Sequence, residues 1–122
     1  MALCDKAEQK GMKDWKVTFN TRFFHKGLNT TVRSGNDKYT EMNPGDTILM
    51  VDKFGNVIGN GRVLSTEVLN VNEWTHQLEY LLKFEHDPVA RDLVGLCQTM
   101  DECYGGKKEW GPVVTVILFW VD

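Results

Sequence analysis

The 122-residue chain lacks several features that mark particular classes of protein. Its cysteines, Cys4, Cys97 and Cys103, are an odd number at spacings that fit neither a disulfide framework nor a zinc knuckle. No apolar run is long enough to span a membrane, and the polar opening lacks the apolar core of a signal peptide. These absences predict a protein of the reducing cytoplasm with no membrane partner.

An excess of positive charge is also missing. The chain has 14 basic and 17 acidic residues, and its formal net charge is -3. It therefore has no general positive field that could hold duplex nucleic acid through the phosphates. Because lysines and arginines are concentrated in the first third of the chain, a local contact with nucleic acid stays open.

Two further signatures are absent, those of a metal site and of a dinucleotide loop. His25, His76 and His86 do not form an H-x-x-x-H pair, and no paired cysteines accompany them. Gly59 and Gly61 of "GNGR" lead into a predicted strand, whereas a dinucleotide-binding loop leads into a helix. We expect no metal and no cofactor.

The composition is that of one globular domain, with 42% hydrophobic and 25% charged residues. We predict an N-terminal arm or short helix at residues 1–14 and a single domain at 15–122. Strands are predicted at "WKVTFN" and "NTTVR" from alternation and β propensity. A hairpin is predicted from strands 47–52 and 57–64 around Gly55, with a bulge or sharp corner near Gly59 and Gly61.

The second half changes to a helical period. Trp74, Leu78 and Leu82 fall on one face of a predicted helix. A second helix is predicted at 88–103, capped by Asp87, followed by the strand "VVTVILFWV". This strand is apolar on both faces, which is typical of an interior position in a sheet. The order of elements predicts an α+β domain with a curved mixed sheet.

From Trp15 onward, the order of the motifs resembles a known domain family. The motifs are "TFNTRFFHKGLNTTVRSG", "NPGDTILM", "GNVIGNGRVLST", a helix-rich acidic segment, and "VTVILFWVD". Together they resemble the ASCH domain of the PUA-like superfamily. The resemblance implies a small curved mixed β-barrel with two or three helices packed at its openings. It also implies a role in binding RNA or modified nucleotides.

One bacterial branch of similar size hydrolyses the acetyl amide of acetylcytidine, using a lysine, a threonine and a glutamate. By this resemblance Thr31 matches the threonine and Glu85 the glutamate, with Glu79 as the weaker match. The position of the lysine falls on Leu28 or Asn29, neither of which titrates, and Lys26 lies just upstream. The implied catalytic residues are therefore Thr31, Glu85 and Lys26.

The candidate binding residues begin with Arg33, whose planar donors suit a phosphate or the edge of a base. A structural ion pair of Arg33 with Glu85 or Asp46 is the alternative, and Thr31 can equally be an ordinary strand threonine. Aromatic side chains could stack on a base or pack in the core. The remaining candidate binding residues are Asn29, Thr30, Tyr39 and Trp110.

Three functions stay open at this point. The first is binding of RNA or of a modified nucleobase or nucleotide in a pocket at the barrel mouth. The second is an amidohydrolase acting on acetylcytidine or a related acylated nucleoside. The third is an adaptor that binds a protein through an aromatic surface including Trp110. The oligomeric state is not indicated by the sequence.

Overall fold

A computed structural model describes residues 13–19, 24–73, 76–105 and 111–122. It contains a five-stranded mixed sheet with helical segments between the fourth and fifth strands. The five strands are β1 (Asp14–Thr18), β2 (Gly27–Ser34), β3 (Thr47–Val51), β4 (Val57–Asn70) and β5 (Val113–Val121). Residues 1–12, Trp74 and Trp110 lie outside the described residues, as do residues 20–23.

The sheet has the strand order β1-β3-β4-β5-β2. Strand β1 pairs in parallel with β3, and the other neighbours are antiparallel. The last strand lies between β4 and β2, so the prediction of an interior position is confirmed. Its side chains alternate between two cores, with Val114 and Val116 on one face and Ile117 and Phe119 on the other.

The sheet is curved, and within the described residues its edge strands do not pair with each other. The pairing register shifts between Met50 and Val51 and again between Val63 and Ser65, as at a β-bulge. Gly61 permits a close approach of β4 to β5, because a Cβ there would lie 2.9 Å from the carbonyl oxygen of Trp120. The predicted α+β class with a curved, barrel-like sheet is confirmed.

Helix α1 (His76–Leu82) buries the apolar side chains Leu78, Leu81 and Leu82. The prediction of one continuous helix at 88–103 is wrong. A 3-10 helix spans Pro88–Arg91, and helix α2 spans Leu93–Tyr104. No helix among the described residues is long and apolar enough to cross a membrane.

The break between the two helical segments occurs at Asp92, which has extended backbone angles and caps α2 by accepting a hydrogen bond from the Gly95 N–H at 2.7 Å. A Cβ at Gly95 would lie 1.7 Å from the Val89 carbonyl oxygen. Glycine therefore lets the 3-10 helix fold tightly against the first turn of α2. The predicted cap at Asp87 is confirmed, because its carboxylate accepts from the Val89 N–H.

A buried carboxylate joins the start of β1 to the turn before β3. Asp46 is fully buried and accepts hydrogen bonds of 2.9 Å from the Lys13 N–H, the Trp15 indole and the Asn43 N–H. Burial acts to raise the pKa of Asp46, but these hydrogen bonds and the charge of Lys13 outweigh it and hold the pKa below the ordinary value. Asp46 is thus a structural anchor, bonded to other groups than Arg33.

Candidate functional site

A cavity of about 300 Å³ lies between the end of β1, the middle of β2, the segment after α1, and α2. We call it the Glu85 cavity. It brings together three residues that the sequence analysis selected, Thr31, Arg33 and Glu85. The other lining residues are Thr18, Phe19, Val32, His86, Asp87, Leu96, Thr99, Met100, Glu102, Cys103 and Tyr104.

Glu85 is held in place because the segment after α1 pairs with β2. The Thr30 N–H donates to the Phe84 carbonyl at 2.8 Å, and the His86 N–H donates to the Thr30 carbonyl at 3.0 Å. The Thr30 hydroxyl donates to the Leu81 carbonyl at 2.9 Å and lies 3.5 Å from Glu85 Oε2. Thr30 is therefore a fully buried residue that fixes the position of Glu85.

The carboxyl group of Glu85 is almost completely buried. Burial raises its pKa well above the ordinary value, since water no longer stabilises the charged form. The positive charge of Arg33 acts against this rise, and the negative charge of Asp87 adds to it. The dipoles of the nearby His86 N–H and Thr30 hydroxyl also act against the rise. The raised pKa keeps the carboxyl protonated to a higher pH than an exposed glutamate, and a protonated carboxyl can both donate and accept.

Arg33 reaches the cavity from β2 and is fixed on one side only. Its Nη1 donates to the Thr18 carbonyl at 2.7 Å, and its Cζ lies 4.6 Å from the centre of the Phe19 ring. The Nε atom is buried and makes no hydrogen bond to any residue that the structure describes. A buried donor without a partner costs stability, and it is a suitable group to bind an acceptor on a ligand.

Thr31 lines the cavity and is itself buried. Within β2 it pairs with Ile117 of β5, which fixes its backbone. Within the described part of the chain we find no hydrogen bond from the Thr31 hydroxyl. This hydroxyl is therefore available to a molecule in the cavity.

His86 also lines the cavity, although it was not among the predicted site residues because it has no metal-ligand spacing. Its ring stacks on Phe24 at 5.0 Å between centroids and meets the edge of Phe19 at the same distance. Its Nε2 lies 3.6 Å from Glu85 Oε1, and both side chains are largely buried. The sequence signal was the "EHD" triplet, in which three titratable residues are adjacent.

Among the described residues, the predicted site residues Asn29, Tyr39 and Lys26 do not line the Glu85 cavity. Asn29 is fully buried, and its amide bonds the backbone of His25 and Gly27, so it shapes the turn before β2. Tyr39 packs in the core beside Phe19, and Lys26 is an exposed residue just before β2. Trp110 lies outside the described residues, so its part in base stacking or in an adaptor surface stays a prediction.

A second hollow, of about 450 Å³, lies on strands β1, β3 and β4. Its polar side chains, which include Asp14, Thr47 and Arg62, are exposed. It therefore lacks the buried polar groups that distinguish the Glu85 cavity. Nowhere in residues 13–19, 24–73, 76–105 and 111–122 do three His, Cys, Asp or Glu side chains form a group that could hold a metal ion.

The chain's fold is similar to that of protein EF3133 from Enterococcus faecalis V583, a crystal structure described with the family model DUF984. The TM-score is 0.56 at 11% identity, and the match covers 98% of this chain and 85% of that one. At this identity the likeness shows the fold alone. No protein-family model matches the sequence, and no curated protein matches it significantly.

Proposed function

We propose that the Glu85 cavity binds an uncharged nucleobase, either in a free nucleoside or as an unpaired base of RNA. The observation that carries this proposal is the presence of Arg33, Thr31 and Glu85 in one cavity. Arg33 can only donate hydrogen bonds, whereas a hydroxyl and a protonated carboxyl both donate and accept. Such a set suits the mixed donors and acceptors along the edge of a base.

The size of the cavity supports a small ligand. Pockets for small molecules and cofactors measure roughly 300 to 1,000 Å³. The Glu85 cavity, at about 300 Å³, is at the lower end of this range. A single base with part of its ribose is the portion of a nucleic acid that matches this volume.

The charges around the cavity favour an uncharged ring over a phosphate. Among the described residues that line it, Arg33 is the only arginine or lysine. The acidic residues Glu85, Asp87 and Glu102 line the same cavity. A phosphate would be repelled by any of these groups that is ionised, and their repulsion opposes the attraction of one guanidinium. The proposal therefore assigns Arg33 to a carbonyl or ring nitrogen of a base.

We further propose that the chain is a member of the ASCH domain family of the PUA-like superfamily. The order of the sequence motifs supports this assignment, and the curved α+β fold is compatible with it. The meeting of the threonine, the arginine and the downstream glutamate in one cavity adds support, since the resemblance implies a shared site for them.

The binding proposal is tested by isothermal titration with the four common ribonucleosides and their 5′-monophosphates. At least one nucleoside is expected to bind, and its monophosphate to bind no more tightly. Arg33→Ala should weaken binding about 10-fold or more, because a hydrogen bond from a charged group contributes about 1.5–3 kcal/mol. Arg62→Ala, which changes an exposed arginine on the second hollow, is the matched control.

Two results would contradict the binding proposal. One is tighter binding of every monophosphate than of its nucleoside, whatever the base, because that indicates recognition of the phosphate. The other is an Arg33→Ala variant that is folded and binds as tightly as the unchanged protein.

A second candidate function is hydrolysis of an acylated nucleoside such as acetylcytidine. It is favoured by one observation, the unbonded Thr31 hydroxyl in the same cavity as Glu85. Thr31 Oγ would attack the acyl carbon as its proton passes to the Glu85 carboxylate, and Arg33 would bind the oxyanion. Glu85 would then give that proton to the exocyclic nitrogen of cytidine as the C–N bond breaks, and water would hydrolyse the acyl-threonine to release acetate. A buried carboxylate with a raised pKa is a stronger base than an exposed one, which suits it to accept a proton from the hydroxyl.

Hydrolysis is tested by incubating the protein with acetylcytidine and separating cytidine and acetate by chromatography. Glu85→Gln should lower the rate at least about 100-fold if Glu85 is the general base. Glu79→Gln, at an exposed position of α1, should leave the rate unchanged. Lys26→Ala tests whether Lys26, which does not line the cavity, contributes to the rate. Absence of cytidine release by the unchanged protein would reject this second function and leave the binding proposal standing.

A further inference from the structure

The imidazole of His86 is held rigidly inside the Glu85 cavity. Its ring lies between two phenyl rings, parallel to that of Phe24 at 21° and nearly perpendicular to that of Phe19 at 89°. Its backbone N–H is bonded to Thr30 of β2. Only about 7% of the residue is exposed, yet it lines the cavity. The ring is thus held in one orientation at the wall of the cavity.

The ring is also aimed at a second titratable group. His86 Nε2 lies 3.6 Å from Glu85 Oε1, and the two side chains are 8% and 5% exposed. At this separation a charge on one group acts directly on the other, and shielding from water strengthens that interaction.

Charged and titratable groups surround this pair on four segments of the described chain, whereas the end of β1 contributes only the uncharged Thr18 and Phe19. Strand β2 contributes Arg33, and the segment after α1 contributes Asp87. The 3-10 helix contributes Arg91, whose Nε donates to the Glu85 backbone carbonyl at 3.0 Å. Helix α2 contributes Glu102, Cys103 and Tyr104 to the cavity wall.

We propose that His86 and Glu85 hold one proton in common in the free protein and that His86 contacts the ligand, so that binding of a nucleobase makes the pair release this proton to the solvent or take up a second one. The proton resides on Glu85 Oε1 beside a neutral imidazole, or on Nε2 beside the carboxylate. Moving it between the two atoms leaves the charge of the pair unchanged. The pair can therefore present either a neutral donor or an ionic one to the ligand. This inference rests on the proposed binding function for the ligand, but its first test does not.

The first test needs no ligand. The ring signals of all three histidines are followed by NMR against pH in the unchanged protein, in Glu85→Gln and in His86→Gln. In Glu85→Gln the pH midpoint of His86 should fall by about one pH unit or more, since an opposite charge within 4–6 Å shifts a titration by this amount. In His86→Gln the pH midpoint of the Glu85 carboxyl signal should rise by an equal amount, because coupling between two sites is reciprocal.

Two internal controls accompany this measurement. His76 is exposed on α1, and His25 directs its Nε2 to the Leu28 carbonyl, so neither signal should move in Glu85→Gln. A purely structural effect of the substitution would shift signals, but it would not produce a fall in the His86 midpoint that is matched by an equal rise in the Glu85 midpoint. Unchanged midpoints of His86 and Glu85 in the two variants would overturn the shared proton.

The second test uses cytidine and adenosine as probes, with calorimetric titration in two buffers of different ionisation enthalpy. Binding should take up or release protons in the unchanged protein, and this exchange should disappear in His86→Gln and persist in His76→Gln. Binding with no proton exchange would overturn the role of His86 toward the ligand. If the NMR coupling is present but neither probe, nor any other ribonucleoside, binds, the proposed function fails and the ligand role fails with it, while the coupled pair stands.

Discussion

The buried carboxyl of Glu85 leads to a definite prediction about how stability depends on pH. Its pKa is raised in the folded state, chiefly by burial, so the folded protein binds a proton that the unfolded chain releases near pH 4.3. This contribution to stability is complete below the unfolded pKa and is lost as pH rises toward the folded one. Substitution by glutamine removes the titration and keeps the shape of the side chain.

The magnitude follows from the linkage relation. One proton bound by the folded state and not by the unfolded chain gives a slope of about 1.4 kcal/mol per pH unit. The unfolding free energy of the unchanged protein minus that of Glu85→Gln should therefore fall with rising pH at up to this rate. At roughly 4 °C per kcal/mol for a domain of this size, the difference in Tm should change by about 5 °C per pH unit.

The assay is denaturant and thermal unfolding of both proteins at half-unit steps from pH 4.5 to 7.5. The difference between the two proteins is used because other carboxyl groups titrate in both and cancel. Glu79→Gln, at an exposed glutamate, should give a flat difference. A flat difference for Glu85→Gln, or one that rises with pH, would refute the reasoning about burial.

Two further substitutions test the local structure. Gly95→Ala should destabilise the fold by about 2–3 kcal/mol in chemical denaturation, because the new Cβ would overlap the Val89 carbonyl and force the backbone apart. Val94→Ala, at an exposed position, is the control. A loss of stability in Gly95→Ala no larger than that in Val94→Ala would contradict the packing described. Asp46→Asn should cost about 1–3 kcal/mol, since an amide cannot accept from all three donors. Because the folded pKa of Asp46 is lowered, this cost is present above the unfolded pKa and should shrink as pH falls through the folded one; a cost independent of acid pH is the contrary result.

Much of the fold could be predicted from hydrophobic period and turn chemistry. Strand β5 reads as apolar on both faces, and the structure places it between two strands with a core on each side. The break in the predicted helix 88–103 could not be predicted, because the helical spacing of its apolar residues runs through Asp92 and Gly95 without interruption. The structure shows that Asp92 caps a separate helix and that Gly95 packs closely against the Val89 carbonyl of the 3-10 helix.

The site was predicted in part, and the difference has a physical reason. Thr31, Arg33 and Glu85 meet because Thr30 pairs β2 with the segment after α1, a contact across 55 positions of sequence. Asn29 and Tyr39 were selected by residue type, which does not tell whether a side chain faces the cavity or the core. His86 was not selected as a site residue, because its neighbours Phe19 and Phe24 are distant in sequence and spacing rules examine only local patterns.

The most direct test of the account is an NMR titration of the 15N-labelled protein with the four ribonucleosides and acetylcytidine, because it reports where a ligand binds as well as whether it binds. We expect the backbone signals of Thr31 to Arg33, Glu85 to Asp87 and the last turns of α2 to shift. The signals of the second hollow, around Thr47 and Arg62, should stay unchanged. Shifts centred on that second hollow, or none with any of the five nucleosides, would contradict the assignment of the Glu85 cavity as a nucleobase site.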